Sequence, residues 1–265
     1  KNQKSFLEEV SVTCGVKLKV LTSEEEGQFT YTGVINSMDI PKGVIMDMGG
    51  GSTQFVYYNR KNIIAQETLP YGSVTLTDLF KDAGLKPEER AEKIEEFVKE
   101  SLDGVEWLKN LEPDVQFIGV GGSFRNLGKI SRKIKKYPLD MAHNYNISLS
   151  EFDSIYDTIK TLTLDKTMKI KGLSSGRADI FPSALAAVKT ITDIAGFENI
   201  VVSGSGLREG AMFKYAVPSV NEKPITDVLG HSLQTLAKYF EENDSHSHHV
   251  ADLSVQLYKQ LKVLH

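Results

Sequence analysis

The chain has 265 residues, 40% of them hydrophobic and 25% charged, with 21 Gly and 8 Pro, an ordinary globular composition that excludes collagen-like, disordered and disulfide-scaffold classes. Against 31 Lys+Arg stand 35 Asp+Glu, a formal charge of −4, so no global positive field recruits nucleic acid or an anionic membrane, and a polyanion must be met by a local patch. Cys14 is the one cysteine, which allows no internal disulfide and points to a reducing, cytoplasmic setting.

The start, KNQKSFLEEV, has neither a hydrophobic signal core nor an initiator Met, as expected of the inside of a longer protein, and no apolar run reaches the roughly 18–20 residues that span a bilayer. Helical spacing over residues 3–10 is followed by alternation over 16–21 that predicts a strand. Thr22 and Ser23 then supply N-cap hydroxyls before Glu24, Glu25 and Glu26, predicting a helix to about Asn36.

After a break at Pro41 comes an apolar strand over 44–48, the turn Gly49-Gly50-Gly51-Ser52-Thr53, a second strand through Tyr58 and a third over 63–69. Helices are predicted over 76–80 and, as one continuous element, over 88–108. A buried-type strand over 115–120 runs into Gly121-Gly122-Ser123 and a basic helix ending near Pro138. Ser150 and Asp153 read as a capping box ahead of Phe152, Ile155, Tyr156, Ile159 and Leu162. A helix over 179–195, a strand over 200–202, the turn Ser203-Gly204-Ser205-Gly206 and a helix from Leu207 complete an α/β body. Residues 218–224 read as a linker, and the remainder of the chain is helical, with stripes Leu233/Leu236/Ala237/Phe240 and Val250/Leu253/Leu257/Leu261.

Three strand ends carry small-residue turns. Glycine lets backbone amides approach a phosphate closely, and a helix opening after the second and third turns adds a favourable dipole, so the three together predict an anion-binding crevice. Asp47, two residues before the glycine run, is placed to hold Mg²⁺ against phosphate oxygens or to stabilise the turn. Glu26 ends an acidic run that, on composition alone, reads as a solvated helix start. Lys129, Arg132, Lys133, Lys135 and Lys136 are a solvated helix face or a rail for a polyanion.

Val44–Gln54 (VIMDMGGGSTQ), Ser23–Gly27 (SEEEG), Phe117–Ser123 (FIGVGGS), Arg177–Ala184 (RADIFPSA) and Ser203–Gly210 (SGSGLREG) resemble, in order and spacing, the exopolyphosphatase / guanosine pentaphosphate phosphohydrolase family of the actin-like ATPase superfamily. The resemblance implies an actin-like (ribonuclease H-like) α/β fold with a mixed sheet and flanking helices. Residues 1–42 would be the end of a first actin-like domain and a crossover helix, 43–217 a second such domain, and 218–265 the start of an all-helical HD-like domain. It implies Mg²⁺-dependent release of terminal phosphate from inorganic polyphosphate, or alternatively from guanosine pentaphosphate. Glu26 matches the catalytic base; Asp47 and Gln54 the metal-associated positions; Gly49, Gly50, Gly51 and Ser52 one phosphate loop; Gly121, Gly122 and Ser123 another; Arg208 and Glu209 the closing motif.

Two departures stand out. The first phosphate loop of the family, an Asp-x-Gly-Ser-Asn segment, is expected upstream of the first residue of this chain, and Gln54 stands where many relatives carry a glutamate, an amide that coordinates without charge. These motivate a non-catalytic polyphosphate or nucleotide sensor as the competing class. An actin-like sugar or acetate kinase shares the glycine loops but no acceptor signature is present. His246, His248 and His249, near His231 and His265, resemble the opening helix of an HD domain, yet one matched ligand cannot replace a three- or four-ligand set, so packing is the expected role of this end. No membrane or nucleic-acid partner is expected, and a homodimer is the assembly considered.

Overall fold

The structure is a computed structural model that describes residues 2–59, 62–81, 84–217, 224–239 and 244–262. Its centre is a six-stranded mixed sheet built from β1 (Lys42–Met48), β2 (Thr53–Asn59), β3 (Asn62–Leu69), β4 (Gln116–Val120), β5 (Tyr145–Ser148) and β6 (Asn199–Val202), in the spatial order β3-β2-β1-β4-β6-β5. The first three strands form an antiparallel meander. From β1 the sheet continues parallel through β4 and β6 and closes on the antiparallel edge strand β5.

Period-2 alternation decides which residues face which layer. Val44, Met46 and Met48 join the larger core, under α4 (Pro87–Ser101), α6 (Gly122–Lys135), α7 (Leu149–Ile159) and the buried α9 (Phe181–Ala195). Ile45 faces the other way, into a smaller core with Tyr31, Val34 and Ile35 of α2 (Ser23–Ile35). Asp47, two residues further, shares that second face, and this parity places it under α2.

Helix α2 lies against α10 (Leu207–Ala216), and glycines make the approach possible. A Cβ on Gly210 would lie 1.8 Å from the Phe29 carbonyl oxygen, and one on Gly33 2.3 Å from that of Gly206. The other helices are α1 (Gln3–Cys14), α3 (Ser73–Phe80), the short α5 (Glu106–Lys109) and α8 (Leu164–Thr167), and at the end α11 (Val228–Tyr239) and α12 (Asp244–Leu261). Among the described residues, no helix is long and apolar enough to cross a membrane.

Several expectations are corrected. Residues 15–22 form no strand: Val16, Leu18 and Val20 alternate as a strand would, but all three are exposed and no neighbouring strand pairs with them among the described residues. The long helix over 88–108 is two helices, because the chain turns at Leu102–Val105 around Gly104 before α5. The cap of α7 is Ser148, whose Oγ accepts from Glu151 N at 3.3 Å, two residues before the expected Ser150. The four-residue β5 is too short to carry a sequence signal. The Thr22 cap matches the expectation, with Glu25 completing a capping box. The linker, residues 218–223, and the stripe position Phe240 and His265 lie outside the described residues.

Candidate active site

The site assembles where β1 and β4 end and α2 begins. In the antiparallel register Asp47 lies directly opposite Gln54, and in the parallel register opposite Val120, so Asp47 has Gln54 on one flank and the Gly121 loop on the other. Cross-strand partners on one face of a sheet are neighbours, so this register fixes the pairing. Glu26 and Thr30, four residues apart on α2, share one helix face and come down onto them. Gln54 Nε2 donates to Glu26 Oε2 at 2.7 Å and to Ser52 Oγ at 3.0 Å, while Thr30 Oγ1 donates to Asp47 Oδ2 at 3.2 Å.

Both carboxyls are held above their ordinary range. Burial is the larger cause for Glu26, with the nearby Asp47 charge adding to it. Burial also raises Asp47, against the opposing effects of the Thr30 hydrogen bond and the positive charge of Arg125. Removing water disfavours the charged form, and two like charges near each other reinforce that. Asp47 makes no ion pair among the described residues. A half-buried, hard-oxygen pair of acids with the buried Gln54 amide beside it is chemically suited to a divalent cation such as Mg²⁺.

Two glycine loops border this pocket. In the first, the carbonyls of Gly49 and Gly50 are taken by the N-terminus of α3: Ser73 N reaches Gly49 O at 2.9 Å, and Val74 N and Thr75 N reach Gly50 O at 3.0 and 3.1 Å. Gly49 N closes the turn onto Ser52 O at 3.0 Å. The amides of Gly50, Gly51 and Ser52 have no acceptor among the described residues, and a Cβ on Gly51 would meet open space. With its carbonyls turned back and its amides free, the loop has the polarity of an anion cradle.

The second loop turns at Gly121, whose φ of 101° is a conformation only glycine adopts readily. It opens α6, whose unpaired first-turn amides and dipole favour an anion. Ser123 is buried there with its hydroxyl unpartnered among the described residues. The guanidinium of Arg177 lies on the backbone of this loop, and a Cβ on Gly122 would sit 2.2 Å from its Cζ.

Residues 1–217 match the model of the Ppx/GppA phosphatase family. The chain belongs to that family. It is 28% identical over 220 residues to a bifunctional 3-dehydroquinate synthase/phosphatase of Fusobacterium nucleatum, covering 80% of this chain and 32% of that protein. It is 24% identical over 258 residues to a guanosine-5'-triphosphate,3'-diphosphate pyrophosphatase of Vibrio vulnificus, covering 97% of this chain and 50% of that one. It therefore spans 32% and 50% of the length of these two curated relatives. Among solved structures, a Ppx/GppA family member of Aquifex aeolicus aligns with a TM-score of 0.70 and 26% identity over 83% of this chain and 71% of that one. An exopolyphosphatase of Cytophaga hutchinsonii aligns at 0.75 and 21% identity over 82% and 71%, a likeness of fold. The mixed sheet with its flanking helices is thus the Ppx/GppA architecture.

Against that family pattern, the structure draws together Glu26, Asp47, Gln54, Ser52 and the loops at Gly49–Gly51 and Gly121–Ser123. It does not draw in Arg208, whose side chain is 78% exposed and whose ion contact is its neighbour Glu209 at 3.9 Å. Glu209 instead accepts from Gly206 N at 2.9 Å, a local cap. The third glycine turn opens α10 as expected, but its own amides are spent. In the third, Gly204 N donates to His143 Nδ1 at 3.0 Å, Ser205 N to Ser203 Oγ at 3.1 Å and Gly206 N to Glu209, leaving no free amide in that turn.

Three further residues join the site without having been assigned to it from the sequence. Thr30 is legible there, since it follows Glu26 by one helical turn. Arg125 follows the second loop and carries the same kind of signal. Arg177 stands within a family-like motif, but its placement on Gly122 depends on tertiary packing that spacing does not reveal.

Proposed function

We propose that this chain carries the reacting centre of a phosphoanhydride hydrolase that releases the terminal phosphate of inorganic polyphosphate, with Mg²⁺ as cofactor. The observation that carries this reading is the Glu26–Gln54–Asp47 constellation set between two glycine loops with open amides. In the reaction Glu26 takes a proton from a water, the water oxygen bonds to the terminal phosphorus, and the bridging P–O bond breaks, leaving orthophosphate and a chain shorter by one unit. The proton on Glu26 returns to solvent. The amides of Gly50, Gly51 and Ser52 and the first turn of α6 hold the equatorial oxygens as charge redistributes, and Arg177 adds a fixed positive charge. Mg²⁺, held by Asp47 with the Gln54 amide oxygen, would supply charge neutralisation at the phosphate oxygens.

The depth of the site also bears on Gln54. By donating to Glu26 it fixes the direction of the carboxylate that meets the water, a role an ionised glutamate at this position could not fill. Guanosine pentaphosphate is the second reading, favoured by the name of the Vibrio relative.

The test is released phosphate from long-chain polyphosphate with Mg²⁺, comparing this chain with one extended upstream through the first phosphate loop and offering guanosine pentaphosphate in competition. Turnover of polyphosphate by the extended protein, with the nucleotide the poorer substrate, is the expected result. Binding of either compound with no release by either protein would replace hydrolysis with the sensor reading.

A further inference from the structure

The five cations at the end of α6 do not act alike. Arg132 is buried, donates to the carbonyls of Gly128 and Leu139 at 3.2 and 3.3 Å, and pairs with Asp140 at 3.2 Å. Lys135 pairs with Glu151 at 2.5 Å. These two are structural. Lys129, Lys133 and Lys136 are exposed and make no ion pair among the described residues.

With Arg125, Lys129 and Lys133 fall at positions i, i+4 and i+8 of α6, a single stripe about 12 Å long at 1.5 Å per residue, while Lys136 is the left-handed cap that follows the helix. The stripe begins at the cleft, because Arg125 sits in the first turn of α6, directly after the loop at Gly121, where an added Cβ would lie 3.3 Å from Asp47 Oδ1.

A second cationic row runs beside the first. The segment 166–177 lies along α6 in the opposite direction, with three points of attachment. Arg177 lies on Gly122 at the start of the helix. One turn on, Ser174 N and Oγ donate to Asn126 Oδ1 at 2.9 and 3.0 Å. Further along, Gly172, with φ +99°, lies so close that a Cβ on it would be 2.9 Å from Ile130 N. Beyond that, Ile170 and Lys171 share with Ile130, Lys133 and Ile134 the walls of a groove of about 370 Å³. Lys169 and Lys171 are exposed and also carry no ion pair among the described residues. Like charges gathered on one surface repel, and among the described residues no ion pair offsets that here.

We propose that Arg125, Lys129, Lys133, Lys169 and Lys171 form a cationic track that receives the part of a linear polyphosphate chain lying beyond the cleft. A compact anion would engage only the loop end, whereas an extended one engages the two rows together. This rests on the polyphosphate reading above. It is sharper than that reading, since it predicts a dependence on chain length carried by Lys129, Lys133, Lys169 and Lys171, which lie outside the reacting centre.

The experiment measures binding of labelled long-chain polyphosphate and of tripolyphosphate to the full chain over a range of salt. It compares wild type, the triple variant Lys129→Gln/Lys133→Gln/Lys171→Gln, and a control losing the same charge at α4, Lys86→Gln/Lys93→Gln/Lys99→Gln. The track predicts that the ratio of long-chain to tripolyphosphate affinity falls at least about tenfold in the first variant only. It also predicts a shallower dependence of log Kd on log salt, because fewer counterions are released on binding. An unchanged ratio, or an equal fall in the control, overturns the track while leaving the substrate reading in place. Failure of wild type to bind either polyphosphate overturns both. Tighter binding of a single-stranded RNA of equal charge, lost in the triple variant, would make this a nucleic-acid surface and overturn the proposal.

Discussion

Two kinds of glycine turn follow the parallel strands of this sheet, and they differ in where their amides go. After β1 and β4 the loops turn carbonyls inward or open a helix, and the amides of Gly50, Gly51 and Ser52 face no acceptor among the described residues. After β6, in a turn of similar composition, all three amides are committed, to His143, to Ser203 and to Glu209. Small residues after a strand therefore identify a turn; the partners of its amides decide whether that turn can bind an anion. The first loop therefore keeps open amides on the turn itself, whereas the third spends its own on local partners and, like the second, presents the start of a helix.

The largest effect tests the centre between the open loops. Glu26→Gln keeps the shape of the side chain and removes its basicity, so kcat should fall by about 10²–10⁴-fold while polyphosphate affinity persists. Steady-state kinetics paired with a binding measurement reads both, and an unchanged kcat would sink the assignment of the base.

Gly210→Ala and Gly51→Ala should then separate architecture from chemistry. A methyl at Gly210 would be driven into the Phe29 carbonyl, which forces α2 and α10 apart at a cost of about 1–3 kcal/mol, read as a lower midpoint in urea. At Gly51 the methyl enters open space at an ordinary φ, so stability should hold within about 0.5 kcal/mol. Because the substrate phosphate would occupy that space, kcat/KM should fall at least about tenfold. Equal kinetics in Gly51→Ala and wild type would remove the first loop from the site.

A smaller change probes the third turn directly. His143 accepts from Gly204 N and its Nε2 faces the Ser37 carbonyl at 2.9 Å, so it ties the turn to the end of α2. His143→Ala should cost about 1–2 kcal/mol through the groups left unpaired and leave KM unchanged. A change in KM with no change in the unfolding midpoint would place that turn in the substrate site after all.

Much of this is legible in the sequence, for identifiable reasons. The strand–glycine–strand unit at 44–58 and the capped start of α2 are local patterns, and the parity that puts Asp47 under α2 follows from them. The features that escape a sequence reading depend on distant partners. Residues 16–20 have the alternation of a strand without a neighbour to pair with among the described residues, and alternation cannot say whether one exists. The third turn shows the same loss of information, since its decisive partner, His143, lies 61 residues away. Arg208 matches the family by motif alone, and motif spacing does not reveal that α10 turns its side chain to solvent.

The last contrast lies within the centre, between an amide and a carboxylate at position 54. As the proposed base, Glu26 would act only when ionised, and burial together with Asp47 holds its carboxyl above the ordinary range. Activity should therefore rise with pH along a limb displaced upward from that range. Gln54 opposes the displacement by donating a hydrogen bond that favours the ionised form. In Gln54→Glu that donor is replaced by a second negative charge at the same contact, so the limb of kcat/KM should move to higher pH. Raising Mg²⁺ should draw it back, because a cation bound between the two carboxylates favours ionisation of both. A limb that stays in place, or moves down without added Mg²⁺, would show that residue 54 does not set the ionisation of the base, and the hydrogen bond between them would then be a matter of packing alone.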